Sequence, residues 1–450
     1  MENYKELECI AEELTNLIIA GKAKEVEMLL GEHNKDCKEL CTVITASGNT
    51  PLHILAQRHK PQILKLMFDV GADIDARNNE CLTPLYTSLF YGNFETARML
   101  IRKGADINVT IFPKSGTSLL HKLTFSNRLE AVRLLIEEGA DVNIKDKQGR
   151  SALHLTMVKG KTDMTLLLIN SECDINSLDS SLKTPLHTAL MYKSTEIAKL
   201  LIQIGADVTI KDSSGMTSLH LCVLYRYTEI ARMIIKKNSM ILNTKEKIMG
   251  RTALHMACKD NNMKMAALLV ENGADATLTT NFRKSPIHLV SMVGGADITM
   301  LILRYTTNVN LLTVNNKSPL HIAVEEGHFK VAVLLIQAGA NVHLHDLHGM
   351  TALHYAVQNN DVECARVLIQ AGADVNDSDA RLRSAFHIAC QNENLEMAKF
   401  CLRHGARTYM LDENACTPLD YDRSGDVQAY YEKLQLMQRK TSAIQDAQPK

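Results

Sequence analysis

The sequence predicts an all-α repeat solenoid, and three observations carry that prediction. A tetrapeptide of Ser or Thr, a small residue or Pro, an apolar residue and usually His recurs along the chain. It begins at Thr50, Thr83, Ser118, Ser151, Thr184, Thr217, Thr252, Ser285, Ser318, Thr351, Ser384 and Thr417. Nine of the eleven spacings between these starts are 33 residues and the other two are 35. About seventeen residues into each unit, a second apolar run closes on a Gly-Ala-Asp-like turn, as in Leu134-Leu135-Ile136 before Gly139-Ala140-Asp141. A fixed period of this length means stacked supersecondary units, which overrides the several globular domains that length alone would suggest.

The elements follow in order. Residues 1–47 read as a helical N-terminal cap, in which residues 11–31 form a degenerate repeat: Ala20 to Val26 and Leu29-Leu30 echo the second helix of later units. From residue 48 to 426 the units repeat. Ser or Thr suits a helix N-cap, where its hydroxyl accepts an orphan backbone N–H. Six of the nine prolines follow it directly, at the helical position for which their φ is pre-set. The apolar third residue begins a buried stripe. A second, longer helix ends at glycines such as Gly104, Gly205 and Gly372, where a left-handed residue is expected. Glu172, Asn238 and Thr306 break that rule; Asn tolerates the conformation, whereas Glu and Thr predict weaker turns. The two 35-residue spacings predict longer fingers at Val109–Gly116 and Thr244–Gly250. Residues 427–450 read as a capping helix, Val427–Met437, presenting Tyr430, Tyr431 and Leu434 to the last repeat, followed by a polar, disordered tail.

The strings Thr50-Pro51-Leu52-His53, Thr184-Pro185-Leu186-His187 and Gly139-Ala140-Asp141-Val142-Asn143 resemble the ankyrin repeat, over residues 48–426. The resemblance implies L-shaped units with β-hairpin-like fingers, whose fingers and inner helices line a concave groove used for protein binding. Tyr86 and Asp420 in the His position, and the three irregular turns, depart from the pattern.

Composition narrows the function. The 450 residues are 46% hydrophobic and 22% charged, with a net charge of -1, so the basic surplus that nucleic-acid binding needs is absent. No stretch reaches the eighteen or so apolar residues of a membrane span, and the charged start lacks the pattern of a secretory signal. Eleven scattered cysteines fit a reducing compartment, so a cytoplasmic or nuclear location is expected. No phosphate loop, nucleophile elbow or kinase signature occurs, and neither enzyme activity nor a cofactor is expected. Ten of the seventeen histidines occupy the motif and read as structural. His343, His345 and His348 read as a solvated finger tip, and Cys37 with Cys41 lacks the second pair of a zinc site; no metal is expected.

The candidate site lies at two variable positions near the end of each first helix. From the second to the sixth motif they are mostly aromatic or apolar, and Phe90, Tyr91, Phe125, Tyr192 and Tyr225 are the expected partner contacts, with Tyr227 beside them. Asn143 and Asn376, each eight residues after a Leu, resemble substrates of the asparaginyl hydroxylase that modifies ankyrin repeats. The expected function is a scaffold or adaptor for protein partners. The alternative is a targeting or substrate-recognition subunit, holding the catalytic subunit of a ubiquitin ligase or phosphatase. The absent signal disfavours a secreted or membrane-acting array.

Overall fold

A computed structural model describes residues 2–33, 40–42, 45–158 and 160–446, with side chains from residue 9 to 437 within those ranges. The chain divides into two compact units, Met1–Ser213 and Ser214–Lys450.

Each tetrapeptide opens a short helix, such as Pro51–Gln57, Pro84–Tyr91 or Ala352–Gln358, and a second helix follows, such as Pro61–Asp69, Phe94–Arg102 or Val362–Gln370. Helices of seven to nine residues fall below the ~12–15 that stand alone in water, so stacking must hold them. The first helix is covered on nearly every side, with Pro51 through Ala56 all buried. The second buries one stripe, Ile63, Leu64 and Met67 in the first repeat.

The motif His joins one repeat to the next. Thr252 donates its backbone N–H to Nδ1 of His255 (3.2 Å), while the Thr252 hydroxyl accepts from the His255 amide (3.4 Å). Nδ1 is thus an acceptor, so Nε2 carries the proton and donates to the carbonyl of Lys284 (3.1 Å), just before the next N-cap. His53, His121, His154, His321, His354 and His387 reach the equivalent carbonyls of Leu82, Arg150, Lys183, Met350, Arg383 and Cys416. His288 instead meets the carbonyl of Leu311. Burial holds these rings neutral and pushes His255 and His288 down to about 4. Asp420 substitutes for the ring in the last repeat, its carboxylate accepting from both the amide and the hydroxyl of Thr417.

The fingers are built on a buried acceptor. Asp146 Oδ1 accepts from the amides of Gln148 and Arg150, both at 2.9 Å, and Oδ2 meets Arg150 Nε at 2.9 Å. Where the finger before Thr252 is one residue longer, Glu246 replaces Asp and its extra methylene carries the carboxylate to the amides of Ile248, Met249 and Arg251. Neighbouring tips are linked by single backbone bonds. Lys147 donates to Ser115 and Ser180 to Gln148; in the second unit Val314 donates to Phe282, Leu347 to Asn315 and Ala380 to His348. Two residues before every N-cap the backbone is left-handed. Glycine fills six of these places (48, 116, 149, 215, 250 and 349), while Cys81, Leu182, Arg283, Asn316, Leu382 and Ala415 hold φ of 56–61°.

Two of the three irregular turns run against the expectation drawn from residue type. Glu172 adopts the left-handed conformation (φ 58°). Asn238 is extended (φ -154°) and its side chain instead caps a short 3₁₀ helix, Ser239–Asn243. Thr306 returns its hydroxyl to the carbonyl of Ile302. The longer finger at Val109–Gly116 is a true hairpin, Thr110–Phe112 antiparallel to Thr117–Ser118.

At the N-terminus the cap is two full helices, Glu2–Ala20 and Ala23–Glu32, turned by Gly21 at φ 73°. Its first helix begins well before the echo at residue 11. Leu14, Ile18 and Val26 are fully buried in one core with Ile63, Leu64 and Met67 of the first repeat. At the other end a 3₁₀ turn, Pro418–Tyr421, precedes a helix that continues past Met437 to Asp446, where the polar composition had predicted disorder. Arg403 donates to the Tyr430 hydroxyl (2.9 Å) and Thr408 to that of Tyr431 (3.3 Å), and Val427 is buried.

Candidate functional site

Two departures from the repeat pattern converge in the first unit. At Tyr86 the motif His is missing, so the reciprocal cap on Thr83 is reduced to one bond, from the Tyr86 amide to the Thr83 hydroxyl (3.3 Å). The phenol ring lies instead against Phe90, centroids 5.5 Å apart and nearly parallel. Burial raises the Tyr86 hydroxyl above its ordinary range. Phe90 meets Tyr91 edge-on at 5.6 Å and carries the Arg128 guanidinium 4.2 Å from its ring centre. Opposite stands the hairpin made by the first 35-residue spacing, with Phe112 beneath Lys122 Nζ at 5.1 Å.

Between them is a hollow of about 450 Å³, lined among others by Tyr86, Phe90, Tyr91, Phe112, Lys122 and Glu80. Its aromatic rings stand among polar side chains such as Asn49, Gln57, Asn78 and Ser126, with Glu80 and Lys122 supplying both charge signs, so it can take a side chain and orient it by polar contacts. Phe90 is half-buried, whereas Tyr91 is 59% exposed and available to a ligand.

The other expected contacts do not join this hollow. Phe125, though exposed, lies under Lys161 (5.6 Å to the ring), whose ammonium also accepts the role of C-cap, donating to the carbonyls of Thr124 and Phe125 at 2.6 Å each. Tyr192 lines a separate hollow of about 460 Å³ among the helix–helix turns, with Val158, Thr162, Ser194 and Ile197. Tyr225 and Tyr227 lie in the second unit, stacked at 6.0 Å. Tyr225 closes the first helix of its repeat, Ser218–Leu224, and Tyr227 stands at the start of the second, Thr228–Lys237. Phe112, Lys122 and Glu80 were not singled out in the sequence, although the longer finger containing Phe112 was.

Asn143 and Asn376 work as connectors between repeats. Asn143 Oδ1 accepts from the amide of Asp174 (2.8 Å), and Asn376 Oδ1 from that of Arg407 (2.8 Å). Asn376 Nδ2 also reaches the carbonyl of Gly405 (3.2 Å). Among the described residues no three His, Cys, Asp or Glu side chains converge as metal ligands would. Cys37 lies outside the described residues, and Cys41 is buried against Met67. No helix among the described residues is long and apolar enough to cross a membrane.

Family models described as ankyrin repeats match residues 16–111, 120–212, 204–280 and 287–379, and a second such model matches 90–136 and 360–402. Similarity to individual proteins is local. A stretch of 78 residues is 35% identical to the transient receptor potential cation channel subfamily A member 1 homolog of Caenorhabditis elegans, covering 17% of this chain and 6% of that protein. Another of 72 residues is 33% identical to the probable E3 ubiquitin-protein ligase XBOS31 of Oryza sativa subsp. japonica, covering 16% of each. The chain thus spans a small fraction of the curated relatives it matches.

Proposed function

Because the chain belongs to the ankyrin-repeat family, whose repeats generally mediate protein–protein interaction, we propose that it is a non-catalytic adaptor that holds a protein partner in the Tyr86–Phe90–Tyr91 groove of its first unit. One observation carries this reading. The repeat that gives up its structural His for Tyr86 faces the finger that gains two residues and Phe112, so both irregularities line one hollow. A regular array has no structural need for either. An apolar anchor of the partner would enter between Phe90 and Phe112, with Lys122, Arg128 and Glu80 setting its polar contacts. The scattered cysteines fit work in the cytoplasm or nucleus.

The test is affinity purification with mass spectrometry from cells carrying the wild type, a Tyr91→Glu/Lys122→Glu variant and a Phe125→Glu control, after melting curves show equal folding. Loss of a common set of partners from the groove variant alone supports the reading. An unchanged partner set sinks it.

A second reading, substrate recognition within a ubiquitin ligase, is favoured by the local similarity to the rice ligase. A ligase catalytic subunit that co-purifies with both wild type and groove variant would support it, since docking and recognition would then use different surfaces.

A further inference from the structure

The finger tips of the second unit differ in kind from those of the first. Ile248, Phe282, Val314, Leu347 and Leu382, one from each of five successive fingers, are 46–70% exposed. Among the described residues, the finger tips of the first unit expose only one large apolar side chain, Leu182, and otherwise present residues such as Ser47, Glu80, Lys147 and Ser180. The tip-to-tip backbone bonds Val314 to Phe282, Leu347 to Asn315 and Ala380 to His348 keep these fingers in fixed register, so their apolar side chains form a strip. A row of exposed apolar side chains, one on each successive finger, marks a contact surface on a folded chain.

The charges beside it have one prevailing sign. Lys247, Arg283 and Arg381 are exposed at the tips, whereas the carboxylates Glu246, Asp346 and Asp379 are buried and bonded to finger amides. Glu413, next to Arg381, is the exposed exception. Two of these side chains are kept at a conformational cost. Arg283 (φ 56°) and Leu382 (φ 59°) occupy the left-handed finger position that Gly250 and Gly349 fill without strain.

We propose that this strip docks an extended, acidic protein segment with an apolar residue at every third position. Stacked helices repeat at roughly 8–10 Å. An extended chain advances about 3.3 Å per residue, so three residues span one finger. Carboxylates in the two intervening positions meet Lys247, Arg283 and Arg381. The strip is separate from the aromatic groove and does not rest on that reading.

The experiment uses the full chain and a fluorescent peptide of repeated Leu-Asp-Asp triplets, with Leu-Lys-Lys and Ala-Asp-Asp peptides for comparison. The acidic leucine peptide binds, more weakly as salt rises, and the other two do not. Ile248→Ser/Phe282→Ser/Leu347→Ser weakens it roughly tenfold or more. Lys247→Glu/Arg283→Glu/Arg381→Glu weakens it comparably and admits the lysine peptide, while Tyr91→Glu leaves it unchanged. Should the serine variant melt early, the charge reversal decides alone, because it alters only exposed cations. Equal binding by wild type and charge-reversed chain overturns the proposal. So does a change in the sedimentation of the unliganded chain on the serine substitutions, which would show that a second copy already covers the strip.

Discussion

Nε2 of His255 sits 3.1 Å from the carbonyl of Lys284, twenty-nine residues on, while Nδ1 of the same ring accepts the Thr252 amide at 3.2 Å, and the second bond requires a ring with no proton on Nδ1. A neutral ring therefore serves both the cap and the next repeat, whereas a protonated one loses the cap bond and carries a buried charge.

That sets a pH dependence. The folded values of His255 and His288, about 4, lie below the unfolded value of 6.5, so the unfolded chain takes up protons first. Their contribution to stability is complete above about pH 6.5 and is lost as pH falls toward 4, on the order of 2–3 kcal/mol per ring. Urea unfolding between pH 7.5 and 4.5 should show midpoints falling with acidity, and His255→Gln should flatten the slope while lowering stability at neutral pH. A midpoint constant from pH 7 to 5 would refute the neutral ring.

Tyr86→His should separate folding from binding. It restores the reciprocal cap on Thr83 found in the neighbouring repeats, which adds up to about 1 kcal/mol. It also removes the aromatic surface under Phe90 and opens the hollow. The expected pair of results is a melting temperature equal or higher and a weaker hold on the partner, read by calorimetry and by pull-down of the same preparation.

The left-handed finger position gives two substitutions of opposite sign in adjacent fingers. Leu182→Gly relieves a side chain at φ 57° and should stabilise by roughly 0.5 kcal/mol after the entropy cost of glycine. Gly149→Ala places a Cβ 2.7 Å from the backbone nitrogen of Ser180 and should cost about 2 kcal/mol. Chemical denaturation of both variants checks the ordering.

Glu246→Asp shortens the one finger carboxylate that spans an extra residue. The amides of Ile248, Met249 and Arg251 cannot all be reached, and a loss of about 1–3 kcal/mol is expected. The converse change at Asp146, where the finger is shorter, should also destabilise. If Glu246→Asp is neutral in thermal melts, the length match is incidental.

The period of the tetrapeptide made the helices, caps and solenoid legible, because each motif residue meets the same local demand in every unit. Turn conformation was less legible. Glu172 takes the left-handed state and Asn238 does not, since the 3₁₀ turn after Asn238 uses its side chain as an acceptor, and residue type alone says nothing of that competition. The site was half legible. Tyr91 and Tyr192 stand equally far from their N-caps, yet line different hollows, because one faces Phe112 of a lengthened hairpin and the other lies beside the turn at Gly160. What stands opposite a side chain is a property of the neighbouring repeat, which periodicity averages away.

The bonds between repeats have a mechanical consequence. Each repeat holds its neighbour at the tip (Ser180 to Gln148), at the motif ring (His154 to Lys183) and at the turn (Asp174 to Asn143), and each of these bonds reaches only the adjacent repeat. Repeats within a unit should peel away singly, and an optical trap would record a staircase of small extensions rather than one rupture.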